Sequence, residues 1–131
     1  MILLDTHALV WWVNGGPALS SRAQRAIRAS LADGPAGVSA ISAFEIATAV
    51  RRGRLDLGVA AEQWLRDVAI LPDLSFLPVT PDIARIAGSF DTTMPGDPAD
   101  RLIAATALSL GVPLVTADHR LRGYPNLKTV W

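Results

Sequence analysis

The chain has 131 residues, of which 50% are hydrophobic, and it carries 12 basic and 12 acidic side chains and no cysteine. This composition predicts one globular domain over residues 1–131 and excludes a disordered chain, disulfides and thiolate metal sites. A balanced charge gives no indication of a polyanion-binding protein.

The sequence also lacks the features of a membrane or exported protein. No stretch of about 20 unbroken apolar residues is present to span a bilayer. The apolar run Met1–Leu4 has no basic segment before it and does not have the form of a signal peptide. We therefore expect a soluble cytoplasmic protein with no membrane partner.

Short apolar runs alternate with helical patterns along the chain. The predicted strands are Met1–Leu4, Ala36–Ser39, Ser75–Val79, Val112–Thr116 and Lys128–Trp131. The predicted helices are Ala8–Val13, Ser21–Leu31, Ser42–Arg52, Val59–Ile70, a helix that starts at Thr80-Pro81, and Asp97–Leu110. Pro78 favours a sheet edge for the third strand. The alternation predicts an α/β fold, a three-layer α/β/α sandwich around a central, mainly parallel sheet.

Two of the predicted helices have capping boxes at their starts. Ser21 with Gln24, and Ser42 with Glu45, have the spacing of capping boxes. Each of these pairs predicts a helix that begins at its serine.

Four acidic residues follow strands or open helices in this pattern. In parallel βαβ units the carboxyl ends of the strands and the starts of the next helices meet at one edge of the sheet. The four are Asp5, Glu45, Asp100 and Asp118, and Asp97 is a fifth candidate. Each also has a simpler explanation as a helix cap, a first-turn acid or a turn residue.

Together the acids predict a metal site. Carboxylates at one edge repel one another and raise one another's pKa unless a positive group lies between them. Lys128 is the only lysine, and Arg101 points to a different helix face from Asp100. Mg²⁺ or Mn²⁺ prefers oxygen ligands, and such a site activates water and stabilises a phosphoryl oxygen. The residues therefore predict a metal-dependent phosphodiester hydrolase.

Within this site we expect an inner and an outer group of residues. Asp5 and Asp100 project from the ends of rigid elements and are predicted to be the closest metal ligands, with Glu45 and Asp118 slightly further out. Three further residues are predicted to support the ligands: Thr6, Asp97 and Thr116. The threonines would hold waters or orient Asp5 and Asp118, although ordinary turn hydrogen bonding explains them equally well.

Three other functional classes share features with this sequence. A phosphoryl-acceptor signalling domain also clusters acids at strand ends, but it needs an early pair of acids that this chain lacks. A dinucleotide-binding domain needs a G-x-G-x-x-G after a strand, which is also missing. A catalytically inactive binding module has no sequence feature that separates it from the enzyme.

Four segments resemble those of a known family. They are Leu3–Trp12, Ser42–Ala47, Asp97–Ala107 and Leu114–Asp118. In this order they resemble the PIN domain, and within it the VapC-like ribonuclease toxins of bacterial type II toxin–antitoxin systems. The resemblance implies an Mg²⁺-dependent endoribonuclease with Asp5, Glu45, Asp100 and Asp118 around the metal.

The resemblance also implies partners. It indicates a homodimer, an RNA substrate, and inhibition by a small antitoxin whose tail binds near the active site. The chain departs from the family pattern at Phe44, where relatives have tryptophan, and at Ala49, where many have lysine. We expect Arg51, Arg52 or Arg54 to replace that lysine as the basic group that meets the antitoxin.

Overall fold

A computed structural model describes residues 1–131 and contains a five-stranded sheet with helices on both faces. The strands are β1 (Leu3–Leu4), β2 (Ala36–Ser39), β3 (Leu74–Leu77), β4 (Leu114–Val115) and β5 (Thr129–Val130). The helices are α1 (Thr6–Asn14), α2 (Ser21–Leu31), α3 (Ala40–Arg51), α4 (Ala61–Ala69), α5 (Pro81–Ser89), α6 (Pro98–Leu110) and α7 (His119–Arg122). The predicted α/β sandwich is confirmed.

All pairs of neighbouring strands are parallel, in the order β3-β2-β1-β4-β5. The chain builds outward from β1 to β3, then crosses back and adds β4 and β5 on the other side. The direction of winding therefore changes between β1 and β4, and open α/β sheets bind their ligands outside the carboxyl ends of the strands at such a point. Pro78 directly follows β3, which is an edge strand as predicted.

Consecutive leucines of β1 enter two separate cores, because side chains alternate across a strand. Leu4 pairs in register with Val38 and Val115 and packs in the core that includes residues of α1, α2 and α4. Leu3 lies opposite Leu114 and packs in the core that includes residues of α6 and α7. Both leucines are fully buried, and each such burial contributes about 1.5–3 kcal/mol. The two-residue strand thus holds both layers together.

The start of α1 differs from the prediction, whereas α2 begins at Ser21 as predicted but has a different cap. Helix α1 begins at Thr6, two residues early, because the side chain of Asp5 caps it. The cap of α2 is Ser20, whose Oγ accepts the backbone N–H of Ala23 at 3.0 Å. The predicted capping box over residues 21–24 is therefore wrong by one residue.

The second predicted capping box is also wrong, with a consequence for the functional site. Helix α3 begins at Ala40 and is capped by Ser39, whose Oγ accepts the backbone N–H of Ile41 at 3.2 Å. Ser42 and Glu45 therefore lie beyond the cap, and their side chains have other partners. Helix α4 is shorter than predicted. No helix combines the length and apolar character needed to cross a membrane.

We predict that Gly37→Val destabilises the fold by about 1–3 kcal/mol through overpacking. Gly37 lies in the middle of the sheet, and a Cβ there would stand 2.9 Å from Leu77 Cδ1 and 3.2 Å from Leu3 Cδ1. The control is Gly88→Val in α5, where a Cβ meets nothing within 4 Å. Denaturant unfolding should show a large loss for Gly37→Val and a change within about 0.5 kcal/mol for the control. Equal losses would contradict the packing argument.

Candidate functional site

The predicted acids converge on one small pocket at the carboxyl edge of the sheet. Its volume is about 400 Å³. It is lined by Asp5, His7, Trp11, Glu45, Asp97, Asp100, Ala117, Asp118 and Arg120. All four predicted catalytic acids and the fifth candidate are in this set, which we call the acid pocket. The pocket lies where β1 and β4 end, at the change in winding direction.

Asp5 follows β1, caps a helix and also lines the acid pocket. Its Oδ1 accepts the backbone N–H of Ala8 at 2.8 Å and so caps α1. The hydroxyl of Thr116 accepts the backbone N–H of Asp118 at 3.1 Å. Burial raises the pKa of Asp5, and a hydrogen bond from Thr116 opposes that rise. Thr116 therefore contacts the side chain of Asp5 and the backbone of Asp118, and the second contact is an ordinary turn hydrogen bond.

Asp97 and Asp100 are brought together by the start of α6. Asp97 is the N-cap, and its Oδ1 accepts the backbone N–H of Asp100 at 3.1 Å. Arg101 turns away from the acids, as predicted, and donates to the carbonyls of Pro95 and Phe90 at 2.9 and 3.1 Å. Its guanidinium thus anchors the loop before α6 and fixes the point where the two acids enter the pocket.

Glu45 is held by a chain of two hydroxyl groups. Thr6 donates a hydrogen bond to Glu45 Oε1, and its Oγ1 lies 2.9 Å from the Oγ of Ser42. The single hydroxyl proton of Thr6 goes to the carboxylate, so Ser42 donates to Thr6. Ser42 is fully buried. Thr6 therefore orients Glu45 rather than Asp5, and this differs from the prediction because α3 starts earlier than expected.

Asp118 opens α7, a four-residue helix that sequence patterns did not predict. Its Oδ1 accepts the backbone N–H of Arg120 at 2.9 Å. The guanidinium of Arg120 also returns to the acids: Nη2 lies 2.8 Å from Asp118 Oδ2 and 3.3 Å from Asp100 Oδ2. The expectation of no protein cation between the acids is therefore wrong. Arg120 lies close to Asp118 because the first turn of α7 brings its side chain back toward Asp118, the residue that caps this helix.

Three of the acids form a tight group suited to a metal ion. One carboxylate oxygen from each of Glu45, Asp97 and Asp100 lies within 4.8 Å of the others. An all-oxygen set with this much negative charge fits a hard divalent cation such as Mg²⁺ or Mn²⁺. Asp97 is predicted to support the metal ligands, but the structure places it among the three acids of this group.

The pKa values of the acids depend on burial more than on mutual repulsion. Burial is the main cause of the raised pKa values of Asp5 and Glu45, and it raises the pKa of Asp100 to about 6 together with the charges of Asp97 and Glu45. The expectation that all four acids are raised is wrong for Asp118. The hydrogen bond from Arg120 lowers the pKa of Asp118.

A larger groove of about 990 Å³ adjoins the acid pocket and shares four residues with it, His7, Trp11, Glu45 and Asp97. The residues that line it include Ala49 and Phe44, whose exposed fraction is 67%. Arg51, Arg52 and Arg54 also line it. The groove thus joins an apolar surface to a basic end and opens directly onto the carboxylates.

Comparison with known proteins agrees with this geometry. Residues 2–127 match the model of the PIN domain family. The chain belongs to the PIN domain family. Ribonuclease VapC22 of Mycobacterium tuberculosis is 41% identical to this PIN domain over 132 residues, which is 99% of this chain and 98% of the relative. The resemblance seen in the sequence is confirmed.

Solved structures share the fold. VapBC2 from Rickettsia felis, bound to a DNA fragment from its promoter, has a TM-score of 0.71 at 18% identity and covers 98% of this chain and 97% of that one. VapC20 of Mycobacterium tuberculosis, a toxin that cleaves the sarcin-ricin loop, has a TM-score of 0.67 at 19% identity, with 98% and 99% covered. At these identities the likeness establishes the fold of the PIN domain alone.

Sequence reasoning missed two polar residues of this PIN domain. Ser42 has the spacing of a cap, but its position three residues before Glu45 also places it on the same side of the helix. Arg120 follows Asp118 by two residues, and an arginine within one turn of an acid is the sequence signal that indicates it.

We predict that Asp100→Asn raises the melting temperature of the metal-free protein at neutral pH. The folded pKa of Asp100 is about 6, above its ordinary 3.8, so the folded protein binds this proton more tightly than the unfolded chain. The stabilisation is present below pH 3.8 and is lost as pH rises through about 6. In EDTA the variant should melt about 2–5 °C above the parent at pH 7.5, and the difference should shrink at pH 4.5.

Asp82→Asn is the matched control, since Asp82 occupies the first turn of α5 but is exposed and paired with Arg85. It should leave the melting temperature nearly unchanged at both pH values. The counter-effect at Asp100, loss of a helix-dipole contact and of the Arg120 pair, is worth about 0.3–1 kcal/mol for each interaction. An Asp100→Asn protein that melts well below the parent in EDTA would identify Asp100 as a structural first-turn residue.

Proposed function

We propose that this protein is an Mg²⁺-dependent endoribonuclease and the toxin of a type II toxin–antitoxin pair. One observation carries the proposal: five carboxylates meet in one pocket at the change in winding direction of a PIN domain. The full-length similarity to a ribonuclease supports the reaction class. The proposal applies to one domain that spans residues 1–131.

The residues proposed to hold the metal are Asp5, Glu45, Asp100 and Asp118, with Asp97 beside them. Asp100 is the central ligand, because it lies in the close group with Glu45 and Asp97 and also faces Asp118 through Arg120. Mg²⁺ in such a pocket supplies positive charge to a phosphoryl oxygen and lowers the pKa of water. Mn²⁺ has the same ligand preference and is expected to substitute for Mg²⁺.

The protein's own contribution is to hold the carboxylates in place before substrate arrives. Thr6 fixes one oxygen of Glu45 and leaves the other available, and Asp97 uses Oδ1 as a cap and leaves Oδ2 available. Helix starts surround the pocket, so the positive ends of their dipoles favour a phosphate there. The site therefore combines a preorganised acid group with an environment that attracts the RNA backbone.

We further propose that the protein forms a homodimer and binds a cognate antitoxin. Exposed apolar side chains such as Phe44 and Ile70, of which 67% and 81% are accessible, offer surface for association. The groove beside the acid pocket is placed for an antitoxin tail, since it runs from Phe44 to the arginines and reaches Glu45. VapBC complexes of the same fold contain toxin and antitoxin together.

We predict that Asp5→Asn or Asp100→Asn lowers RNA cleavage by at least about 100-fold, because each removes a charge that the transition state depends on. Far-UV circular dichroism should stay unchanged. Asp82→Asn, with the same chemical change at an exposed first-turn acid, should cleave normally. Cleavage should stop in EDTA and return with Mg²⁺ or Mn²⁺.

Two results would count against the enzyme. Full activity in EDTA would exclude the metal mechanism. Absence of cleavage of any RNA by the parent protein with either metal, in the free form that lacks antitoxin, would favour the inactive binding module.

We predict that reversing the charge of Arg51, Arg52 and Arg54 to Glu weakens the antitoxin complex by at least about tenfold, because an acidic tail segment would lose its partners. The antitoxin used in this test would be the product of a neighbouring small open reading frame, chosen because it suppresses toxicity. Affinity is measured by titration calorimetry. Reversal of Arg22, Arg25 and Arg66, which lie outside the groove, is the control and should have little effect. Unaltered affinity after the first reversal would remove the three arginines from the interface.

A further inference from the structure

Arg120 occupies the side of the acid pocket where β4 ends. Its guanidinium makes two contacts with Asp118, Nε to Oδ1 at 3.1 Å and Nη2 to Oδ2 at 2.8 Å, and a third with Asp100 Oδ2 at 3.3 Å. The backbone N–H of Arg120 uses Oδ1 of Asp118 as well. Both oxygens of Asp118 are therefore engaged by a single residue two positions along the chain.

Asp118 lies outside the close group of acids. Glu45, Asp97 and Asp100 approach one another within 4.8 Å, whereas Asp118 lines the same pocket but is not part of that group. The guanidinium lies between Asp118 and Asp100 and supplies the positive charge that this part of the pocket would otherwise lack. Arg120 thus takes the position of a counter-ion toward the two acids.

The guanidinium is also free to leave. Its side chain is 63% exposed, while those of Asp100 and Asp118 are 22% and 24% exposed. Ion pairs with so exposed a partner are weak, because water solvates the arginine almost as well as the carboxylates do. A divalent cation, with twice the charge and a preference for carboxylate oxygens, competes favourably for the same acids.

We propose that Arg120 is a built-in counter-cation that exchanges with the divalent metal ion. In the metal-free protein it neutralises Asp118 and Asp100 and withholds Asp118 from the metal site. Metal binding displaces the guanidinium from both acids, so Arg120 lowers the apparent metal affinity of the protein. The inference rests on the metal site proposed above and concerns its occupancy, not the cleavage step.

The central test compares Arg120→Met with the parent by calorimetric titration of Mn²⁺ at about 0.15 M salt, where distant charges are screened. Methionine keeps an unbranched apolar stem and removes the guanidinium, while the backbone N–H at position 120 still donates to Asp118, the cap of α7. The variant should bind Mn²⁺ about 3- to 10-fold more tightly, the range expected for loss of one or two exposed ion pairs. In EDTA it should melt below the parent, because the acids lose their counter-ion.

Arg122→Met is the matched control. It removes the same charge from the same short helix, and Arg122 makes no ion pair with the acids. Its Mn²⁺ affinity should equal that of the parent. Arg120→Lys, which retains the charge without the two-pronged geometry, should lie between the parent and the methionine variant.

A direct readout follows the guanidinium itself. The Nε–H resonance of Arg120 is identified by its absence in Arg120→Lys, and in the metal-free protein it should show the hydrogen bond to Asp118. Addition of Mg²⁺, which is diamagnetic, should shift this resonance toward that of a solvent-exposed arginine. A resonance that does not move at saturating Mg²⁺ would overturn the exchange.

The remaining outcomes separate this proposal from the proposed function. Equal Mn²⁺ affinity of Arg120→Met and the parent would reduce Arg120 to a surface ion pair, and weaker affinity would make it a support of the metal site; both overturn the exchange. If the parent still cleaves RNA in either case, the ribonuclease function stands. Tighter Mn²⁺ binding by Arg120→Met in a protein that cleaves no RNA would support the exchange and refute the nuclease.

Discussion

Negative charge concentrated at one end of a parallel sheet is the constraint on which the rest of this structure depends. Asp5 and Asp118 follow the neighbouring strands β1 and β4, Asp97 and Asp100 stand at the start of α6, and Glu45 lies in the second turn of α3. Carboxylates so close and partly buried are unfavourable in the ionised form, and the raised pKa of Asp100 records that cost. The surrounding elements either carry these groups to the pocket or offset their charge.

The offset comes mostly from the backbone. Asp5, Asp97 and Asp118 are each the N-cap of a helix and accept a backbone N–H. A cap satisfies an otherwise unpaired donor and places the carboxylate at the positive end of the helix dipole. Structural and functional explanations of these acids are therefore compatible, because the cap uses one carboxylate oxygen and leaves the other for a side chain or a ligand.

The other two acids depend on side chains that lie far from them in the sequence or on another element. Glu45 is oriented by Thr6, which is fixed in turn by the buried hydroxyl of Ser42, so α1 and α3 are joined by polar contacts at the pocket. Asp100 faces Arg120 from α7. Mutation of residues that hydrogen-bond to metal ligands typically costs about 10- to 100-fold in metal affinity or activity. Activity at this site is thus expected to depend on residues that carry no charge of their own.

The sequence by itself determined the succession of strands and helices along the chain apart from α7, the parallel sheet and the set of acids, because these follow from local patterns. Apolar runs set the strands, Asp97-Pro98 set the start of α6, and the connection between parallel strands sends every strand end to one edge. Tertiary structure alone decided the partners. Ser39, not Ser42, caps α3, and Glu45 accepts a hydrogen bond from Thr6. The turn of α7 places the guanidinium of Arg120 against Asp118 and Asp100. Such contacts depend on distances of a few ångströms between separate elements, and periodicity along the chain does not contain them.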